Sequence, residues 1–241
     1  MWIDYQGSDH IALKRPALIV AVSTSIPQYR GLYSQARELA DYMLSKMKFK
    51  KIATVRASAF LPEVILRDDG TATLPECGLY LSRGTRDILL FAGDSSPMDE
   101  QYEFAEFILA KAADFRVKEL YSVGARWAEN PLPPDSDPLA LGFATDAVGV
   151  GKLRNSGVKI LSEEPAPFFA SMVVAMAKDY GIRGYKLAVD HGEPNPHVKS
   201  VARILEVLSR MAEFQVDLDE LRSKAVPAVT LSQSENSSIY H

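Results

Sequence analysis

The sequence contains one cysteine, Cys77, among 241 residues. No intramolecular disulfide can form, and a reducing compartment suits such a chain. No apolar run approaches the roughly 18 residues that a membrane-spanning helix requires. The opening Met1-Trp2-Ile3-Asp4-Tyr5 has neither the basic flank nor the apolar stretch of a secretion signal. A cytoplasmic address with no membrane partner is therefore expected. Lysines and arginines form no cluster, and the net charge is −4. A nucleic-acid face needs a basic stripe, so no nucleic-acid partner is expected. There is no internal repeat, and no low-complexity stretch before the C-terminal segment.

The common catalytic templates are missing as well. There is no Gly-x-x-x-x-Gly-Lys-Ser/Thr phosphate loop, no Gly-x-Gly-x-x-Gly after a strand and no Gly-x-Ser-x-Gly elbow. Nothing near Cys77, in Leu74-Pro75-Glu76-Cys77-Gly78, sets a base beside the thiol, so a packing residue is expected there. His191 and His197 lie six apart across two prolines, which matches no common metal-ligand spacing. A helix-capping loop explains Asp190 to His197 more simply, and neither metal nor cofactor is expected.

What is present is the pattern of a soluble α/β body. The content is 47% hydrophobic and 24% charged, as in ordinary globular chains of a length that can bury a sizeable core. Strands are expected at Ala17–Val22, Lys51–Arg56, Asp87–Ala92, Glu119–Val123 (ending at Gly124), Val158–Leu161 and Tyr185–Val189. Val64-Ile65-Leu66 and Thr71 to Leu74 flank Asp69-Gly70, a hairpin signal that adds an antiparallel element to the sheet. Leu79 to Leu81 suggests an edge strand.

Helical spacing appears three times. Ala36, Leu39, Ala40, Met43, Leu44 and Met47 share one face, as do Tyr102, Ala105, Ile108, Leu109 and Ala112 after Pro97. Val198, Val201, Ile204, Leu205, Leu208 and Met211 mark a third face, opened by Asn195-Pro196 as cap and first position. Phe168 to Ala177 is almost wholly apolar and reads as a covered helix. Its Phe168, Phe169, Met172 and Met176 are expected in the core rather than on a partner surface. Asp217-Leu218-Asp219-Glu220 has capping-box spacing for a short final helix. The fold class that follows is a single-domain α/β/α sandwich with a mixed, mostly parallel central sheet.

In such sheets ligands gather beyond the carboxyl ends of the strands. Those ends carry Ser23-Thr24-Ser25, Gly93-Asp94-Ser95-Ser96, Gly124-Ala125-Arg126-Trp127 and Asp190-His191-Gly192-Glu193. An ordinary set of polar loops is the preferred reading. The alternative is a small-molecule hydrolase or transferase built on Asp94, Arg126, Asp190 and His191, which requires those side chains to converge in one enclosed pocket.

The body is expected to span residues 1–226, with a tail at 227–241. Pro227 stops the final helix, and Ser232 to Ser238 is polar and short-chained, too poor in apolar surface to offset ordering entropy. The tail ends Ile239-Tyr240-His241, so an apolar group, a phenol and a terminal carboxylate offer three kinds of anchor. Fully extended, it reaches roughly 50 Å at about 3.3–3.6 Å per residue.

Several segments together resemble the archaeal branch of the proteasome assembly chaperone family. They are Asp87-Ile88-Leu89-Leu90-Phe91-Ala92-Gly93-Asp94-Ser95-Ser96-Pro97 with Tyr102-Glu103-Phe104-Ala105, and Val117-Lys118-Glu119-Leu120-Tyr121-Ser122-Val123-Gly124. The third runs from Gly184-Tyr185-Lys186-Leu187 through Asn195-Pro196 to Val216-Asp217-Leu218-Asp219-Glu220-Leu221. Order and spacing carry the match, which covers most of Ala17 to Ala225. The resemblance implies a phosphorylase/hydrolase-like sandwich used as a binding scaffold without catalysis. It further implies a homo-oligomer, with a tetramer favoured, that acts without ATP as an assembly chaperone or activator-like factor on the proteasome α-ring. Some members end in a hydrophobic-Tyr-X tail that enters pockets between α subunits, and that motif falls on Ile239, Tyr240 and His241. Many relatives have glycines after the first strand where this chain has Ser23-Thr24-Ser25, a departure that speaks against nucleotide binding. A self-assembling scaffold whose tail swaps between subunits is the remaining alternative.

Overall fold

In the computed structural model, residues 2–6, 11–22, 35–58, 60, 64–66, 69–93, 97, 99–127, 137–162, 166, 169–191 and 197–224 are described, with backbone alone at 125–127, 190, 191 and 197. The strand β2 (Ala17–Val22) shows how the layers arise. All six residues are buried. Ala17, Ile19 and Ala21 enter one core, and Leu18, Val20 and Val22 enter another on the opposite face. A strand covered on both sides has no polar face to present, which is why its sequence is a continuous apolar run.

Around β2 lies a sheet of nine strands in the order β1-β3-β6-β7-β2-β8-β11-β9-β10. The other members are β1 (Trp2–Tyr5), β3 (Phe49–Arg56), β6 (Cys77–Ser82), β7 (Ile88–Gly93), β8 (Glu119–Trp127), β9 (Ala140–Ala144), β10 (Lys159–Ile160) and β11 (Arg183–His191). Its centre, β7-β2-β8-β11, is parallel. The flanking pairs β1–β3, β3–β6, β6–β7 and β11–β9 are antiparallel, and the outermost pair, β9–β10, is parallel again. Helices α1 (Gln35–Lys46), α3 (Ala147–Asn155), α5 (His197–Ala212) and α6 (Asp219–Lys224) cover one face. The other face is covered by α2 (Gln101–Asp114) and α4 (Phe169–Ala177). The sandwich inferred from the alternating pattern is the observed one.

Several local expectations need correction. The hairpin at Asp69-Gly70 forms, with Gly70 at φ 80°, but its strands β4 (Ile65–Leu66) and β5 (Ala72–Thr73) make a separate two-stranded sheet. The main sheet is mixed for other reasons. Cys77–Ser82 lies inside the sheet between β3 and β7 and is not an edge. β8 continues three residues past Gly124, because it pairs with β11 as far as Trp127 and His191. Tyr102 is 66% exposed, and Phe104 fills the buried face of α2 instead. Gln101 rather than Pro97 opens that helix, from a left-handed Glu100. The cap assigned to Asn195-Pro196 lies outside the described residues.

Three elements escaped the periodicity. β1 is a half-exposed edge strand. β9 and α3 lie in a glycine-rich stretch, where Gly149 and Gly151 each lower intrinsic helix propensity by about 1 kcal/mol relative to alanine. α3 forms nonetheless. The Asp146 carboxylate caps it by accepting the Gly149 N–H at 2.6 Å, and Arg183 holds that carboxylate at 2.8 Å. Gly149 also permits close packing, since a Cβ there would stand 2.7 Å from the Ala144 Cβ.

Candidate functional site at the carboxyl ends of the parallel strands

The parallel strands bring their carboxyl ends to one margin of the sheet. Val22 pairs with Gly93, Arg126 with Asp190, and Trp127 with His191. The backbone thus makes Asp190 and Arg126 register neighbours, as a cleft reading requires. Asp94 and the side chains of Arg126, Asp190 and His191 lie outside the described residues. So do Ser23-Thr24-Ser25 and the proposed anchors Ile239, Tyr240 and His241.

On the α2/α4 face of this margin the structure holds a pair of groups that the sequence reading passed over. Lys186 on β11 is 6% exposed, and Ser122, its register partner on β8, is wholly buried. Among the described residues no charge or hydrogen bond acts on the Lys186 ammonium, and the Ser122 Oγ has no hydrogen-bond partner. Burial alone pushes the Lys186 ammonium down to about 7, because an apolar surround disfavours the charged form. Among the described residues the other buried charged side chains, Arg86 and Asp87, are ion-paired at the amino ends of the strands. The lysine reaches toward the carboxyl margin, with its Nζ 2.9 Å from where a Cβ on Gly124 would stand. Any larger residue at 124 would occupy the ammonium's place. The clue was available in Tyr185-Lys186-Leu187-Ala188-Val189. A strand buried on both faces leaves little water for a lysine within it.

The opposite margin and face carry a polar hub that is fully satisfied. Glu119 accepts from Lys152 Nζ at 2.8 Å and the Tyr185 hydroxyl at 3.0 Å on one oxygen. Its other oxygen takes Arg86 at 2.7 Å and the Tyr121 hydroxyl at 3.1 Å. Tyr121 and Tyr185 stack with centroids 4.8 Å apart, and Lys152 lies over both rings. Burial pushes the Glu119 carboxyl up, but the bonds and charges of Lys152 and Arg86 outweigh it and hold the group at about 2. The Tyr121 hydroxyl also lies 3.0 Å from the Met211 carbonyl, so the hub ties α3 and α5 to the sheet. With each carboxylate oxygen already engaged twice, this is a fastening and not a reaction site.

Two minor candidates resolve as packing. Cys77 is fully buried, and burial raises its thiol well above the ordinary range. Phe169 is buried against Phe104 at 5.2 Å, while Met172 and Met176 pack partly buried on the same core. Phe168 lies outside the described residues. Among the described residues no helix is long and apolar enough to cross a membrane.

Fold and site together define an α/β/α sandwich with a polar strand-end margin, a scaffold that serves many functions. The chain belongs to the PAC2 family, whose model matches residues 36–228. No curated protein sequence matches it. Among solved structures it is similar to Pyrococcus furiosus PbaB, an archaeal proteasome activator, with a TM-score of 0.78 and 16% identity over 93% of each chain. It is also similar to Pyrococcus furiosus PbaA, an archaeal homologue of proteasome-assembly chaperone, with a TM-score of 0.72 and 17% identity over 92% of this chain and 87% of that one. A Mycobacterium tuberculosis proteasome-assembly chaperone homologue gives 0.70 and 17% over 87% and 90%. Archaeal and bacterial proteins thus share this fold, and at such identities the likeness concerns the fold alone.

Proposed function

We propose that this protein is an ATP-independent, homo-oligomeric factor of the proteasome system that binds the core-particle α-ring without catalysing a reaction. Membership of the PAC2 family over residues 36–228 carries the reading. The names borne by the similar structures support it, as does the hydrophobic-Tyr-X ending. In this reading residues 1–226 form the body, and residues 227–241 carry the anchor. Tyr240 packs on the wall of a pocket between α subunits, Ile239 fills an apolar recess, and the His241 carboxylate pairs with a pocket lysine. A homo-oligomer presents several such tails, and weak anchors gain strength through effective concentration when geometry lets them engage together. An archaeal source and a cytoplasmic location accompany the proposal.

The test is capture of purified α-rings by the full-length chain and by a chain lacking Ile239 to His241. The deletion is expected to abolish most of the binding while the oligomer persists. Unchanged binding would remove the tail from the mechanism. Loss of the oligomer itself would point instead to tails exchanged between subunits.

A further inference from the structure

We propose that Lys186 and Ser122 form the floor of a binding site for a small oxyanion, a carboxylate or a phosphate, at the carboxyl margin of β8 and β11. The site is independent of the tail and of α-ring binding. Three observations converge on it. The first is a cation more than nine-tenths buried and without a counter-charge among the described residues. Burying a charge in apolar surroundings is costly unless a partner neutralises it. The core around this face is built from Leu120, Phe169, Val173 and Val174, with Phe143 paired to Lys186 in register. None of these supplies a negative charge.

The second observation is the hydroxyl of Ser122. It sits beside Lys186 in register, wholly buried and without a hydrogen-bond partner among the described residues. A buried hydroxyl left unsatisfied is also unfavourable, and it is the type of donor that an oxyanion accepts from.

The third is the direction of α4. This helix runs back along β11, with the Ile182 N–H bonded to the Ala177 carbonyl near its end. The Val174 carbonyl oxygen lies 2.6 Å from where a Cβ on Gly184 would stand. Lys186 is two residues further along the strand, about 6.6 Å. At about 1.5 Å of rise per residue, that step leads back to the first turn of α4. Helix N-termini carry partial positive charge and favour anions. The lysine's reach toward Gly124 aims its ammonium to the same margin. Cation, hydroxyl and helix start therefore share one sign of preference, and a parallel sheet places ligands at this end.

The full-length chain, labelled with ¹³C at lysine Cε, provides the test. Its Lys186 signal is identified by its loss in Lys186→Met. Inorganic phosphate and acetate are titrated separately against sodium chloride at equal ionic strength. Lys186 is expected to titrate near neutral pH, and one or both anions to shift its signal saturably. The bound anion raises the titration midpoint by about one unit or more, since a nearby negative charge favours the ammonium. Ser122→Ala is expected to keep the folded spectrum and weaken anion affinity roughly five- to tenfold. Which anion acts identifies the head group that the site takes. A Lys186 signal no more sensitive to phosphate or acetate than to chloride overturns the proposal. So does an ordinary lysine titration at about pH 10 or above, which would show that the ammonium is already hydrated or paired.

Discussion

Replacing Lys186 by methionine tests the energetic core of the strand-end site. Methionine matches the length and flexibility of lysine and fills irregular apolar space well, so packing changes little. What changes is the charge. The folded-state value for Lys186 is about 7 against an ordinary 10.5. Between these limits the unfolded chain keeps its proton and the folded chain loses it. Stability from this group is therefore complete above pH 10.5 and is lost as pH falls through 7. Each pH unit inside the window is worth up to about 1.4 kcal/mol. Allowing for half-titration at the lower edge, the wild type gains about 2 kcal/mol from this site between pH 7 and pH 9. The methionine variant has no such term. Urea unfolding in phosphate-free buffer, followed by circular dichroism at both pH values, measures it. The variant's stability advantage is expected to be larger at pH 7 than at pH 9 by about 2 kcal/mol, with unchanged urea dependence. An advantage equal at the two pH values would refute the reasoning, because Lys186 would then not be a buried, unpaired ammonium.

Glu119→Gln leaves Lys152 and Arg86 without their shared carboxylate, and chemical denaturation is expected to show a loss of about 3–5 kcal/mol. Held at about 2, the native carboxyl contributes stability above its ordinary 4.5 that disappears as pH falls toward 2. That term is about 3 kcal/mol, so the Gln variant is expected to lose less stability than wild type between pH 5 and pH 2. In α3, Gly151→Ala meets open space and is expected to stabilise by about 0.5–1 kcal/mol. Gly149→Ala sets a methyl 2.7 Å from the Ala144 Cβ and is expected to destabilise by about 1–3 kcal/mol despite the better helix former. Thermal melts of the two variants should move in opposite directions.

The central architecture was legible because burial writes itself into residue order. Ala17–Val22 and Ile88–Gly93 are continuous apolar runs because both of their faces are covered. α5 was legible from Val201, Ile204, Leu205, Leu208 and Met211, which all pack into one core. β9 and α3 were not, because Gly142, Gly149 and Gly151 interrupt the period while tertiary contacts and the Asp146 cap supply what propensity lacks. The place of Cys77–Ser82 inside the sheet depends on antiparallel pairing with β3 and β7, contacts distant in sequence. The same limit hid the candidate site. Lys186 is one charged letter in an apolar strand, and its significance depends on Ser122 and Gly124 beside it and α4 above. The proposed anchors Ile239, Tyr240 and His241 rest on a terminal sequence pattern alone, and the family match covers residues 36–228, short of them.

The claim that this PAC2-family chain grips an α-ring by its last residues is tested most directly by one binding measurement. Tyr240→Ala and wild type, both full length and both confirmed as the same oligomer, are titrated against isolated α-rings. In the proposed mode of binding, loss of the phenol removes one aromatic anchor from every tail, each worth about 2 kcal/mol or more at a hot spot. The account predicts at least a roughly thirtyfold loss of affinity, compounded where several tails engage. Equal affinities for Tyr240→Ala and wild type would contradict it.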